Sequence, residues 1–240
     1  MAAIFPPAQE EELVRQFFAG GTPGFFVEVG ANEPKTESQS FHLEQAGWSG
    51  VLIEPQPDLA AKLRAQRTAT VCEVACSSPE RSGTTMRLYV AGAFSSFDPR
   101  LAVTGVRPEK AIDVPVRTLD EVLREAGAPR PFDLLSVDVE GHELEVLSGF
   151  DFSYWRPRLI LLEDHVTSLD KHAFLTRAGY RLIRRTGLNG WYVPREQAPA
   201  LDLAGRWQIL RKYYLALPFR VLRDAKRRLR DRIHFARTAG

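Results

Sequence analysis

Short apolar runs alternate with helix-periodic stretches along most of the chain, the order that β/α units produce. "FFVEVG" (25–30) and "GVLIEP" (50–55) are bounded runs rich in aromatic and β-branched residues, and both read as buried strands. Between them Phe41, Leu43 and Ala46 precede Gly47, the pattern of a short helix with a glycine stop. "DLAAKLRAQ" predicts a second helix with Asp58 as its N-cap. "TATVCEVAC" (68–76) reads as a third strand, and "GTTMRLYVAGAFSSFD" (83–98) as a strand followed by a loop. "VPVRTLDEVLREAG" (114–127) predicts an edge-like strand, the cap Thr118 and a helix closed by Gly127. "FDLLSVDVEG" (132–141) is the fourth main strand with its exit loop, "HELEVLSGF" a helix, and "PRLILLEDH" (157–165) the fifth strand. A further helix and a hairpin around Leu188 to Gly190 follow. A mostly parallel sheet with helices on both faces accommodates this order.

In such a sheet ligands gather outside the carboxyl ends of the strands. That rule selects Glu28 to Glu33, Glu54, Ser77, Asp138 to His142 and Glu163 to His165 as the residues to read for chemistry. Several are carboxylates.

Composition narrows the picture in three ways. At 240 residues and 44% hydrophobic, the chain has the size of one globular domain with an appendage. The division expected is a helical lead-in over 1–23, a main domain over 24–200 and a basic helical tail over 201–240. No signal-peptide pattern opens the sequence, and no apolar stretch approaches the roughly 20 residues needed to cross a bilayer. A cytoplasmic location, peripheral to the inner face of the membrane if the tail binds lipid, is the expectation. Cys72 and Cys76 lie four apart in one strand-like segment, where they would face the same side as buried, reduced thiols.

The loop after the first strand excludes one large ligand class. Dinucleotide folds place three glycines there to close on a pyrophosphate. Here Gly30 stands alone, Asn32 and Glu33 follow, and Pro34 removes an amide donor. An acidic side chain pointing into the pocket would also repel a diphosphate. A ligand with a cationic centre and an amino-acid end suits the loop better: Glu28 can take an ammonium, Gly30 allows close backbone approach, and Glu54 can accept both hydroxyls of a ribose. S-adenosylmethionine has those features.

The segments "FFVEVGANEPKTESQSFHLEQAGWSGVLIEPQP", "VPVRTLDEVL", "FDLLSVDVEGHELEVLSGFD" and "LILLEDH" resemble the FkbM family of S-adenosylmethionine-dependent methyltransferases. The likeness spans about residues 24 to 195. It implies an α/β class I methyltransferase (Rossmann-like) fold and methyl transfer to a hydroxyl, usually on a sugar or another small metabolite. By the same match Glu28, Gly30 and Asn32 would lie at the methionine end of the cofactor and Glu54 at its ribose. Pro55 and Ala75 would line the same side, and Asp138, Glu140 and His142 would stand beside the reacting centre. The family often carries a second glycine two residues after the asparagine; this chain has Glu33 and then Pro34.

Alternative roles stand beside these. Glu28 in an apolar strand is costly to bury unpaired, so a structural salt bridge competes with a ligand contact, and Glu54 has a similar balance. Asp138 and Glu140 would face opposite ways if their strand continued; Asp138 is expected toward the site, with Glu140 partly structural and otherwise on the substrate. Ser95 and Ser96 are either loop hydrogen-bonders or contacts to adenine or substrate. Asp138 with Glu163, Asp164 and His165 has the layout of a divalent-metal site; hard carboxylate oxygens suit Mg²⁺, while the histidine would shift preference toward a transition metal, although such a cluster can equally position sugar hydroxyls. His165 and Asp138, then His142, are the candidate bases for a hydroxyl proton.

The formal charge of +2 conceals a division. Between Arg206 and Arg237 stand eleven Lys/Arg against Asp224 and Asp231, a balance of +9 that leaves −7 elsewhere. Leu210, Tyr214, Leu217, Val221, Ala225, Leu229 and Ile233 recur at helical spacing there, with Pro218 dividing the segment. Over residues 206–237 this predicts contact with an anionic membrane surface or with protein, either the acidic body or a second subunit, the protein contact being slightly favoured; nucleic acid is the least favoured partner. A non-catalytic Rossmann-like module that binds a nucleotide or a partner through this tail is the alternative to an enzyme.

Overall fold

The structure, a computed structural model, describes residues 7–36, 38–92, 94–98, 108–201, 203–223 and 225–226. Its centre is a seven-stranded sheet. The strands are β1 (Phe25–Val29), β2 (Ser49–Ile53), β3 (Thr70–Cys72), β7 (Leu134–Val137), β8 (Leu159–Glu163), β9 (Tyr180–Thr186) and β10 (Asn189–Pro194), in the spatial order β3-β2-β1-β7-β8-β10-β9. β1, β2, β3, β7 and β8 run parallel, and β10 is antiparallel to both β8 and β9. The apolar runs form the middle of the sheet because every residue of β7 and β8 is buried, as strands covered on both faces must be.

Helices cover both faces. Phe26, Leu52, Leu134 and Leu161 pack on one side with Val14 of α1 (Pro7–Phe17), Leu43 of α2 (Phe41–Glu44) and Leu63 of α3 (Pro57–Gln66). Their sequence neighbours Val27, Val51, Leu135 and Ile160 face the other side. There they meet α4 (Leu119–Glu125), α5 (Glu143–Ser148), α6 (Phe152–Trp155) and α7 (Asp170–Arg177).

Local signals explain most boundaries. Thr118 and Glu121 form a capping box at the start of α4, and Gly127, at φ 66°, stands just beyond its end. The expected Asp58 cap is corrected: Gln56 occupies the N-cap position of α3 without a side-chain bond, Pro57 is at the first turn, and Asp58 is inside the helix. Proline's fixed φ favours this placement.

The third strand differs from expectation. It breaks after Cys72, and β4 (Ala75–Cys76) joins a separate three-stranded sheet with β5 (Thr85–Val90) and β6 (Lys110–Arg117) in the order β4-β6-β5. Cys72 and Cys76 therefore belong to different sheets, both free. β6, expected as edge-like, is the middle strand of this small sheet. Ala75, Leu88, Val114 and Val116 form its own apolar cluster.

The chain ends of the described region pack on the β9–β10 hairpin. Glu10 of α1 accepts from Thr186, from Asn189 at 2.8 Å and from Trp191 Nε1 at 3.3 Å. On the other side α8 (Leu203–Ile209) leads into a π-helical turn, Leu210–Leu215, from which Tyr213 is buried in the main core with Ile209 and Leu217 packed against it. Residues 217–223 are helical again, with Pro218 near their start. Of the stripe read from sequence, Leu217 packs on the core while Leu210, Tyr214 and Val221 are exposed. The inserted residue of the π-turn rotates the following helix relative to a simple helical count. Residues 227–240, with Leu229, Ile233 and five of the eleven tail cations, lie outside the described residues. No helix among the described residues is long and apolar enough to cross a membrane.

Candidate active site

The connections diverge between β1 and β7, and the main cavity opens there, at the carboxyl ends of the strands. Its lining includes Glu28, Gly30 and Asn32 from the end of β1, Glu54 and Pro55 from the end of β2, Ala75 from β4, and Asp138 and Glu140 after β7. Ser95 closes it from the loop after β5. All seven residues expected at the cofactor are among these.

Three non-glycine residues around this rim adopt left-handed backbone: Asn32, Glu140 and Val166, each at φ 50° and each three residues past the last residue of β1, β7 or β8. Such conformations cost on the order of 1–3 kcal/mol and gather at ligand sites. They turn the chain sharply at each strand end. The strand carrying Asp138 stops at Val137 and Glu140 reverses the path, so both carboxylates line the cavity. The expected opposition of these two side chains is therefore corrected.

Gly30 has φ 84°, and a Cβ built there would stand 1.9 Å from the carbonyl oxygen of Asp138. The close approach that requires glycine is thus to the β7 exit backbone. Gly30 and Ala31 N–H groups both donate to the Ile53 carbonyl, at 2.9 and 3.1 Å, binding this loop to β2.

Glu28 is 4% exposed, and its carboxylate accepts from the Gln39 N–H at 2.8 Å, from Ser38 Oγ at 3.1 Å and from Ser40 Oγ. Arg67, fully buried, donates to both serines and to the Pro34 carbonyl, and pairs with Glu44 at 2.9 Å. Glu28 consequently holds the 38–40 loop while still lining the cavity. Burial raises its pKa, with the Ser40 and Gln39 hydrogen bonds and the Arg67 charge acting against that rise. Glu54 bridges two loops: Oε2 accepts from Asn32 N–H and Oε1 from Gln56 N–H, each at 2.9 Å. Burial raises it too. Glu33, the residue expected to bring negative charge into the pocket, instead turns outward and pairs with Lys62 at 2.7 Å. The acidity of the cavity comes from Glu28, Glu54, Asp138 and Glu140.

A second acidic group stands where β7 and β8 end. Glu140 is pushed up to about 7 by burial and by Asp138 and Glu143, and Glu163 to about 7 by burial and by Glu140 and Glu143. Asp138 is raised well above the carboxylate range by burial and the charge of Glu163. Like charges this close cannot all ionise together. Glu163 Oε2 is buried without a hydrogen-bond partner among the described residues. Lys171 supplies the counter-charge: its Nζ lies 2.7 Å from Glu143 Oε2 and 3.9 Å from Asp164 Oδ1, and donates to the Glu163 carbonyl at 3.0 Å.

The other expected residues stand apart from the cavity lining. Asp164 Oδ1 accepts from the Val166 N–H at 2.8 Å, and Asp164 is not among the side chains whose ligand atoms converge here. The metal trio Asp138, Glu163 and Asp164 is therefore corrected. The residues whose ligand atoms do converge, all within 4.8 Å, are Glu140, Glu163 and His165. His165 is largely exposed, with Nε2 3.4 Å from Glu163 Oε1. His142 Nε2 is engaged by Ser77 Oγ at 2.9 Å, and its ring stacks obliquely on Phe97 at 5.0 Å. Ser96 is buried and donates to the Glu140 carbonyl at 3.0 Å, steadying that turn.

Several lining residues had no role in the sequence reading, among them Gln39, Gln56, Cys76, Phe97 and Ser136. Phe97 lies in "AFSSFD", where an aromatic beside a strand end is a signal for stacking on a flat ring. Lys171 gave no such signal, because only folding brings α7 to the ends of β7 and β8.

The model of the methyltransferase FkbM domain matches residues 28–182, a span that contains the whole rim just described. The chain belongs to the FkbM methyltransferase family. No match was found among curated proteins. Among solved structures this FkbM chain is similar to monomeric WbdD, at 15% identity and a TM-score of 0.43 over 78% of this chain and 41% of the other. The chain thus spans less than half the length of that structure.

Proposed function

We propose that this FkbM domain is an S-adenosylmethionine-dependent O-methyltransferase acting on a hydroxyl of a sugar or a related polar metabolite, such as a cell-surface glycan or glycolipid. One observation carries the reading: a cavity at the switch point of the sheet walled by Glu28, Glu54, Asp138 and Glu140, repellent to a diphosphate and receptive to a cation. The cofactor supplies an electrophilic methyl group on a positively charged sulfur when bound.

The residues divide the remaining work. Glu54 and the Asn32 turn shape the ribose end, and Glu28, through the 38–40 loop, shapes the amino-acid end. Glu140 is the cavity-lining carboxylate brought to titrate near neutrality, by burial and then by its acidic neighbours Asp138 and Glu143. Glu140 takes the proton of the acceptor hydroxyl as that oxygen bonds to the methyl carbon and the carbon–sulfur bond breaks. A base of this kind contributes on the order of 10²- to 10⁴-fold in rate, and alignment of the reacting atoms about 7–11 kcal/mol of the barrier. Glu140 thereby replaces Asp138, His165 and His142 as the preferred base.

A second reading of the acidic group is favoured by the convergence of Glu140, Glu163 and His165. These three would hold a divalent cation, whose chemistry there would be to lower the pKa of the acceptor hydroxyl. Turnover that survives exhaustive chelation removes this reading and leaves Glu140 as base.

Calorimetry with S-adenosylmethionine and S-adenosylhomocysteine tests the main proposal. Binding by the native chain, weakened at least about tenfold (about 1.4 kcal/mol) in Glu54→Gln, supports it. Absence of binding by the folded native chain would favour a non-catalytic module. Incubation with methyl-labelled cofactor and fractionated envelope saccharides then identifies the acceptor.

A further inference from the structure

The segment after β10 uses one side to close the fold and leaves another uncovered. Ile209, Tyr213 and Leu217 pack against the main core. Leu203, Trp207, Leu210 and Tyr214 recur every three or four residues on the exposed side, at 84, 57, 43 and 45% exposure, and Phe219 and Leu222 continue it at 77 and 55%. Soluble surfaces rarely gather large apolar side chains in this way without a partner.

The charge on the same segment has one sign. From Leu203 to Arg223 the sequence holds Arg206, Arg211, Lys212, Arg220 and Arg223 and no Asp or Glu. Where their side chains are bonded, the acceptors are backbone carbonyls: Arg206 to Leu201 at 3.1 Å, Lys212 to Arg185 at 3.5 Å and Arg220 to Lys212 at 2.5 Å. Arg185 beneath them donates to Tyr213 at 3.4 Å and to the Asp164 carbonyl at 2.5 Å. Among the described residues none of the five has a carboxylate within ion-pair distance. Lys212 and Arg220 are both held below their ordinary pKa by burial and then by the positive charges around them, Arg185 first. Beyond Arg223 the sequence adds Lys226, Arg227, Arg228, Arg230, Arg232 and Arg237 against Asp224 and Asp231.

We propose that the exposed side of residues 203–223 docks this protein on an anionic membrane surface. The chemistry decides between partners. Nucleic acid would answer the cations but offers no place for Leu210, Phe219 and Leu222. An isologous contact with a second copy would set like charges against each other. The boundary between anionic headgroups and acyl chains accepts both components, apolar side chains inserted and cations at the phosphates. The inference does not depend on the methyl-transfer reading. It rests on a surface separate from the cavity.

Flotation of the full chain with vesicles of phosphatidylglycerol and phosphatidylcholine, against phosphatidylcholine alone, provides the test. Binding is expected only to the anionic vesicles and should fall as salt rises. Each basic residue near such a surface is worth about fivefold in partitioning, so Arg206→Gln, Arg211→Gln and Arg223→Gln together should reduce it about 100-fold. Phe219→Ser with Leu222→Ser should reduce it separately, and the side chains changed are exposed ones, so far-UV circular dichroism should stay native in both variants. If native protein ignores anionic vesicles, or the variants bind them undiminished, the proposal fails. Concentration-dependent dimerisation abolished by the same variants, or binding to single-stranded RNA without vesicle binding, would overturn it in favour of those partners.

Discussion

A side chain at position 30 would place its Cβ 1.9 Å from the carbonyl oxygen of Asp138. The loops leaving the neighbouring strands β1 and β7 are therefore in backbone contact beside the cavity, and φ 84° at Gly30 makes the position doubly closed to other residues. Gly30→Ala is expected to destabilise the fold by roughly 2 kcal/mol or more. Urea denaturation checks this; an unchanged midpoint would contradict the close approach.

The buried Arg67 is the charge about which the 38–40 loop is built, joining Glu44, Ser38 and Ser40 next to Glu28. Arg67→Leu should cost about 3–5 kcal/mol, because it strands the buried Glu44 carboxylate. Adding Glu44→Leu should recover part of that loss. A double variant no more stable than Arg67→Leu alone would show that the pair is not the source of the cost.

With Glu140 pushed up to about 7, the base form is present only above that pH. Turnover of chelator-treated enzyme on its labelled acceptor should therefore rise through about pH 7. Glu140→Gln should remove that limb and lower kcat by on the order of 10²- to 10⁴-fold, with cofactor binding retained. An unaltered profile in the variant would assign the proton to another group.

Glu163 also makes stability depend on pH. Its carboxyl is raised from 4.5 to about 7 in the fold, first by burial, so the native state holds more protons than the unfolded chain between those values. This contribution is complete below the unfolded pKa and is lost as pH rises through the folded one. In chelator-treated protein, Tm should decline more steeply from about pH 5 to about pH 8 in wild type than in Glu163→Gln. Parallel curves would show that Glu163 is not perturbed.

The central strands and the α4 cap were legible because burial on both faces writes continuous apolar runs, and capping writes Thr118 and Glu121 at fixed spacing. The carboxylates of the rim were legible from their positions at strand ends. Their directions were not. Left-handed turns at Asn32 and Glu140 decide what faces the cavity, and of these two residue types only asparagine favours such a turn. The break after Cys72 was hidden for a different reason: "TVCEVAC" has the composition of one strand, but Glu73 is drawn to Arg64 at 2.7 Å and Val74 is buried. In the last helices even spacing marked one apolar face but could not show that Ile209 and Tyr213, outside it, reach the core beside Leu217 through a π-turn.

That break after Cys72 gives the cavity two walls with different support. The wall from β1, β2 and β7 is part of the main core, where a change of side-chain volume disturbs the whole domain. The opposing wall, from β4 and β5, stands on the separate cluster of Ala75, Leu88, Val114 and Val116. A change of side-chain volume at Leu88 would therefore be taken up first within the small sheet, reshaping one side of the cavity while the large sheet keeps its packing.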